Sequence, residues 1–149
     1  MKERIPLQIV EGRLVLTSVI ECFSLRIRRQ IMEFVIDTGS PDSYLSDKEV
    51  RRLQIPIKDV PSSGEVDFGG SRFYQISIPK ITMYLLKEDK GYHTLNISLS
   101  ALKTTKMSEQ KIQMAQTLPS ILGLDFLKEQ KISLHVILTE NLAYLEFED

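Results

Sequence analysis

Short runs of β-branched, aliphatic and aromatic residues recur along the whole chain, each closed by turn residues and too short for a helix of ordinary length. The first are IPLQIV (5–10), RLVLTSVIE (13–21) and SLRIRRQIMEFVI (24–36), with Glu11-Gly12 as a compact turn between the first two. Three strands in succession predict a meander. GEVDF (64–68) and RFYQISI (72–78) flank Gly69-Gly70-Ser71, a pattern that predicts a hairpin with positive-φ residues at its tip. KITMYLL (80–86) and YHTLNISL (92–99) flank EDKG as a second hairpin, and KISLHVIL, TEN and LAYLEF close the chain as a third. The chain is therefore mainly β.

Three stretches break this pattern. SDKEVRRLQ (46–54) carries Ser46 and Glu49 at the spacing of a capping box, which predicts a short helix ended by Pro56. DFLKEQ reads as a second short helix with Asp125 as its N-cap. KTTKMSEQKIQMAQT (103–117) is polar with few β-formers, and reads as a long loop or a marginal helix. One or two short helices are expected in all.

At 149 residues and 42% hydrophobic, the chain is expected to form one domain, 1–149, around one sizeable core. Nineteen Lys and Arg against twenty Asp and Glu give a net charge of −1, so there is no basic field for nucleic acid and no polybasic patch for a membrane. One cysteine, Cys22, and two histidines, His93 and His135, are too few for a Cys/His zinc cage, and neither metal nor cofactor is expected. MKERIPLQIV lacks the apolar centre of a secretory signal, and no apolar stretch reaches membrane-spanning length. A soluble, cytoplasmic protein is the expectation.

The segment with chemical content is Phe34-Val35-Ile36-Asp37-Thr38-Gly39-Ser40. An acidic residue delivered at the end of an apolar strand, followed at once by a hydroxyl residue and Gly, can project its carboxylate from a sharp turn among backbone N–H groups. The same residues also suit a plain Asx-turn that ends a strand. A second segment, Leu118-Pro119-Ser120-Ile121-Leu122-Gly123-Leu124-Asp125-Phe126-Leu127, is another apolar strand that reaches Gly and runs into a helix.

In order and spacing, the Asp-Thr-Gly-Ser turn, the Gly-bearing hairpin about thirty residues later and Ile-Leu-Gly-Leu-Asp-Phe-Leu resemble the retropepsin-like aspartic proteases. The likeness is closest to the single-lobed cellular branch, including the protease-like domain of the DNA-damage-inducible ubiquitin shuttle proteins, and to stand-alone prokaryotic relatives. It implies a closed acid-protease barrel with a flap hairpin. It implies peptide-bond hydrolysis by two carboxylates that share a proton, and this chain supplies one Asp-Thr-Gly. A homodimer acting on an extended peptide, with Asp37 from each subunit, is therefore implied. By resemblance Asp37 is catalytic, Thr38 bonds across the dimer axis, Gly39 offers backbone contacts, and Ser40 donates to the ionised carboxylate. Phe68, Gly69 and Gly70 form the flap tip, and Leu122, Gly123, Leu124 and Asp125 are a structural signature. Two alternatives stay open at this point: a catalytically inactive relative that binds peptide or mediates dimerisation, and an unrelated β module whose Asp-Thr-Gly is only a turn.

The remaining titratable residues read as structural. His93 and His135 suit strand positions, Cys22 a small buried hydrophobe, Arg26, Arg28 and Arg29 a solvated face, and Asp42 and Asp47 a turn and a helix start. The end strands IPLQIV and LAYLEF are expected to offer edges for pairing with a second subunit.

Overall fold

The computed structural model describes residues 2–148, through which twelve strands run. The opening meander is β1 (Glu3–Val10), β2 (Arg13–Cys22) and β3 (Ile27–Ile36). Glu11 and Gly12 turn between the first two at φ of 49° and 76°. The third apolar run is shorter than expected because a 3-10 turn, Phe23–Leu25, reverses the chain and leaves Arg26 at φ 58°. There follow β4 (Tyr44–Leu45), helix α1 (Asp47–Arg52), β5 (Gly64–Phe68), β6 (Ser71–Ser77), β7 (Ile81–Leu86), β8 (Tyr92–Ile97) and β9 (Ser100–Thr104). Then come α2 (Glu109–Ala115), β10 (Ile121–Leu122), α3 (Leu124–Glu129), β11 (Ile132–Ile137) and β12 (Leu142–Phe147).

Three helices form where one or two were expected. Residues 103–117 hold the end of β9 and then α2, whose cap is the Ser108 hydroxyl accepting from the Lys111 N–H at 3.3 Å. Ala115 is the buried anchor of this helix, which is why an otherwise polar stretch gives little periodic signal. At α1 half of the capping box forms: the Ser46 hydroxyl accepts from Glu49 N–H at 3.4 Å. The Glu49 carboxylate turns to Arg52 instead, and Ser46 N–H donates to the Ser120 hydroxyl at 2.9 Å. Gly123, not Asp125, is the N-cap of α3, and Asp125 sits in its first turn.

The strands pair in the order β11-β12-β1-β2-β3-β10-β4-β9-β6-β5, with β7 and β8 branching from β2. This path has two ends, β11 and β5, so hydrogen bonding does not close the barrel that the resemblance implies. The end strands are also not edges. β1 lies between β12 and β2, and β12 between β11 and β1, so the unpaired edge at this end of the sheet belongs to β11.

Alternation sorts the strand residues between two apolar clusters. Phe34, Ile36, Leu45 and Leu122 enter the main core with Leu16, Ile20 and Met32. Their neighbours Val35, Tyr44 and Ile121 face a second cluster with Phe73, Leu102 and Ala115, joined by Val66, Phe68 and Leu118. Val35, Ile121 and Tyr44 stand side by side in the pairing register of β3, β10 and β4.

Phe34 is fully buried in the main core. Phe34→Ala is expected to cost about 3–5 kcal/mol, read as a lowered urea midpoint with an unchanged denaturant slope. Glu146 of β12 is buried opposite Arg4 of β1. Burial alone would raise its pKa, but the Arg4 guanidinium at 3.0 Å, with Lys2 further off, holds it below the ordinary 4.5. Its folded value is depressed, so its stabilisation is present above pH 4.5 and is lost as pH falls through the lowered value. Melting temperature followed across pH is expected to fall on acidification below that point, and to fall less steeply in Glu146→Gln.

Candidate active site

Asp37 follows β3 directly, two residues beyond Val35, which faces the second cluster. Two bonds run from the β3 end to the chain around β10: Val35 N–H donates to the Ser120 carbonyl at 2.9 Å and Asp37 N–H to the Leu122 carbonyl at 3.0 Å. Asp37 then turns the chain. Its Oδ1 accepts from Gly39 N–H at 2.9 Å, and its carbonyl accepts from Ser40 N–H at 3.1 Å. The Asx-turn reading of the sequence is thus realised. Asp37 is half-buried, whereas Thr38 and Gly39 lie exposed at the tip of the turn.

The return limb of this loop is clamped by the segment that the sequence marks as a signature. Leu124 N–H donates to the Ser40 carbonyl at 2.9 Å and Asp125 N–H to the Pro41 carbonyl at 3.1 Å. Asp125 accepts from the Ser43 hydroxyl at 2.6 Å and from Ser43 N–H at 3.3 Å, and Gly123 N–H donates to that same hydroxyl at 2.8 Å. Leu122 is buried in the main core while Leu124 is half-exposed. A Cβ on Gly123 would stand 2.4 Å from the carbonyl oxygens of both Ser40 and Asp42, so only glycine lets the two backbones come this close. Ser40 itself does not reach the Asp37 carboxylate, since its hydroxyl donates to the Asp42 carbonyl at 2.7 Å. That bond shapes the loop instead.

Over the second cluster lies the β5–β6 hairpin. Gly69 and Gly70 form its tip at φ of 58° and 81°, the left-handed pair that a two-residue turn between twisted strands requires. A Cβ on Gly69 would come within 2.4 Å of the Leu118 side chain, so the tip rests on the residue that leads into β10. Phe68 is partly buried, with its ring 6.2 Å from that of Tyr44 and 6.4 Å from that of Phe73. The Tyr44 hydroxyl donates to the Asp42 carboxylate at 3.3 Å. Burial, then the Asp42 charge and hydrogen bond, then Asp125, push its pKa up to about 12, so it stays a proton donor throughout the acidic and neutral range.

The structure thus brings together the Asp-Thr-Gly-Ser loop and the Gly123–Asp125 segment, and the Tyr44–Asp42 bond ties the return limb of that loop to the face beneath the hairpin. Sequence reading did not single out Ser43 or Tyr44. The available signal was period-two alternation in Ser43-Tyr44-Leu45, too short a run to be read as a strand. His93 and His135 lie elsewhere: His93 contacts Glu3 and packs on Phe147, and His135 stacks on Tyr144 at 4.8 Å. Cys22 is buried, as its surroundings in the sequence suggested. Asp47 opens α1 and accepts from Arg51, Gln116 and the Thr104 N–H, which ties α1 to the segment 103–117. Among the described residues, no group of three or more His, Cys, Asp or Glu side chains is placed to hold a metal ion. No helix among them is long and apolar enough to cross a membrane.

No protein-family model and no curated protein matches the sequence. Among solved structures the chain is similar to a retropepsin-like aspartic protease from Rickettsia conorii, over 99% of this chain and 93% of that one, with a TM-score of 0.58 at 13% identity. The fold is therefore of the retropepsin-like kind. At this identity the likeness concerns the path of the backbone, and it does not separate the cellular branch from the others.

Gly123→Ala is expected to destabilise the protein by about 2–3 kcal/mol, because the methyl meets two backbone carbonyls that have no rotamer to change. Gly64→Ala, where a Cβ would meet nothing within 4 Å, is the matched control and is expected to stay within about 0.5 kcal/mol of the parent in urea unfolding.

Proposed function

We propose that this chain is one subunit of a homodimeric aspartic endopeptidase, in which Asp37 of two copies forms the catalytic dyad. The observation that carries the reading is the placement of the one Asp-Thr-Gly. Its carboxylate follows the buried end of β3 and is braced by its own turn, in a loop that the Gly123–Asp125 segment clamps. The retropepsin-like fold supports it, because the Rickettsia protein with that fold is described as an aspartic protease.

One such loop is half a site. Two carboxylates about 3 Å apart cannot both ionise cheaply, so a dyad shares one proton and titrates as a pair. In the reaction, the ionised carboxylate takes a proton from water as the water oxygen bonds to the peptide carbonyl carbon. The protonated carboxylate gives its proton to the carbonyl oxygen, leaving a tetrahedral diol. When the C–N bond breaks, the carboxyl that took the proton from water gives it to the departing nitrogen, and the other carboxylate takes a proton from a diol hydroxyl as the product carboxyl forms, which restores the singly protonated dyad. No metal or covalent intermediate enters. Gly39 would offer backbone contacts, and Thr38, exposed at the turn tip, is free to bond to its twin. The β5–β6 hairpin serves as the flap that shields an extended peptide from water. Leu122, Gly123, Leu124 and Asp125 hold the catalytic loop in shape.

The free β11 edge suits association with a second copy. It ends in the exposed Val136 and Ile137, with exposed Leu138 in the 3-10 turn that follows, and the strand contains no proline and no register shift against β12. A charge of −1 per subunit offers little repulsion between copies.

Digestion of a proteome-derived peptide library across acidic and neutral pH tests this reading. Wild-type protein is expected to cleave internal peptide bonds, and Asp37→Asn to lose at least about a thousandfold in kcat/KM. Cleavage retained in Asp37→Asn, or absent from the wild type at every pH, overturns the assignment.

A further inference from the structure

The outer side of the sheet formed by β3, β2, β7 and β8 is an apolar face. Pairing sets Ile31, Val19, Tyr84 and Thr94 opposite one another in one row across the four strands, and Leu86 is paired with Tyr92 in the next. Their neighbours in sequence, Ile20, Met32, Met83, Leu85 and Leu95, point the other way into the core. Ile31 is 68% and Tyr92 65% exposed, so no described segment of the chain covers this face. It holds a recess of about 510 Å³ lined by Val19, Arg29, Tyr84, Tyr92 and Thr94. Arg29 also lines a second recess, with Phe23, Arg26 and Arg28, and Phe23 there is 97% exposed.

From the sequence these three arginines read as a solvated face. The structure shows how one of them is placed. The register of β2 and β3 shifts between Ile20 and Cys22, and in the extra residue of β3 that this bulge creates, Arg29 takes φ of 34°, a left-handed conformation that such a side chain seldom adopts. Its guanidinium stands exposed where the two recesses meet.

Charge selects the occupant. Among the described residues Glu21 is the one carboxylate paired with these arginines, 4.0 Å from Arg29, and it already accepts from the Tyr84 hydroxyl at 2.8 Å. Three guanidiniums against one carboxylate, in a chain whose net charge is −1, make this end locally positive. A second copy would bring the same arginines against them, and a flat bilayer would meet Phe23 without filling the recess. An acidic stretch of polypeptide with an aliphatic side chain suits both features. Guanidiniums bind carboxylates through paired N–H donors, and the recess takes the apolar group out of water.

We propose that this face docks an acidic segment of a partner protein, with an aliphatic side chain seated between Val19, Tyr84 and Tyr92 and a carboxylate on Arg29. The site shares no residue with the Asp37 loop, and the proposal stands whether or not the chain is a peptidase. Fluorescence anisotropy of a fluorescein-labelled Glu-Glu-Leu-Glu-Glu amide tests it, with Gln-Gln-Leu-Gln-Gln and Glu-Glu-Ser-Glu-Glu amides as references. The wild-type protein is expected to bind the first at least about tenfold more tightly than either reference. Arg29→Gln is expected to lose about tenfold for the first peptide, whereas Lys58→Gln, the same charge change at an exposed lysine outside both recesses, leaves its affinity in place. Tyr92→Ala, at a position too exposed to endanger folding, is expected to bring the leucine peptide down to the affinity of the serine reference. Asp37→Asn is expected to bind as the wild type does. Equal affinity for the acidic and neutral peptides, no binding of any of them below about 1 mM, or equal losses in Arg29→Gln and Lys58→Gln overturns the proposal. Affinity lost in Asp37→Asn also overturns it, because the peptide would then lie in the Asp37 loop. Sedimentation with phosphatidylserine vesicles that Arg29→Gln abolishes, in a protein that binds no peptide, overturns it in favour of a membrane surface.

Discussion

The close approach of Gly123 to the carbonyls of Ser40 and Asp42 is the contact on which the rest of the site depends. A side chain there would push β10 away from the loop that follows Asp37. β10 could then no longer lie between β3 and β4, two strands separated by only seven residues of chain. With it in place, Asp37, Ser40, Pro41 and Ser43 each have a hydrogen-bond partner some eighty residues later, and the Asp37 carboxylate is held by its own turn at Gly39 N–H. The Ser43–Asp125 pair reinforces the same clamp, since the carboxylate accepts from both the hydroxyl and the N–H of one residue. The loop is thus held by backbone bonds together with this one side-chain pair, while Thr38 and Gly39 lie exposed at its tip.

From this clamp the functional face follows by alternation. Val35, two residues before Asp37, Ile121, two before Gly123, and Tyr44, the first residue of β4, all present side chains to one cluster, and Val66, Phe68 and Phe73 of the β5–β6 hairpin pack against them. The segment 103–117 belongs to this arrangement. Ala115 packs into the cluster and Gln116 is tied to the buried Asp47, so α2 buttresses the cover from behind.

Much of this was legible in the residues themselves. The strands of the meander and the three hairpins follow from apolar runs and turn residues, and the Asp-Thr-Gly turn with Ile-Leu-Gly marks the two halves of the loop clamp. What was not legible has physical reasons. β4 and β10 are two residues long and owe their existence to pairing partners far away in sequence, so no local pattern announces them. α2 is held by one buried alanine, which leaves no apolar stripe. The choice of edge strand depends on the global order of pairing, which is why the end strands β1 and β12 prove to be interior. Ser40 was expected to serve the carboxylate, but the Asp42 carbonyl stands in closer reach of its hydroxyl.

If the chain carries half a dyad, as we propose, its activity is a property of pairs. The most direct measurement mixes wild-type and Asp37→Asn subunits at fixed total concentration, lets them exchange, and follows peptidase activity against the wild-type fraction. If each site needs Asp37 from both copies, activity falls as the square of that fraction, to about a quarter at equal mixture for random pairing. Activity that falls in direct proportion to the wild-type fraction, with exchange confirmed, would show that a single Asp37 suffices and would contradict the shared dyad.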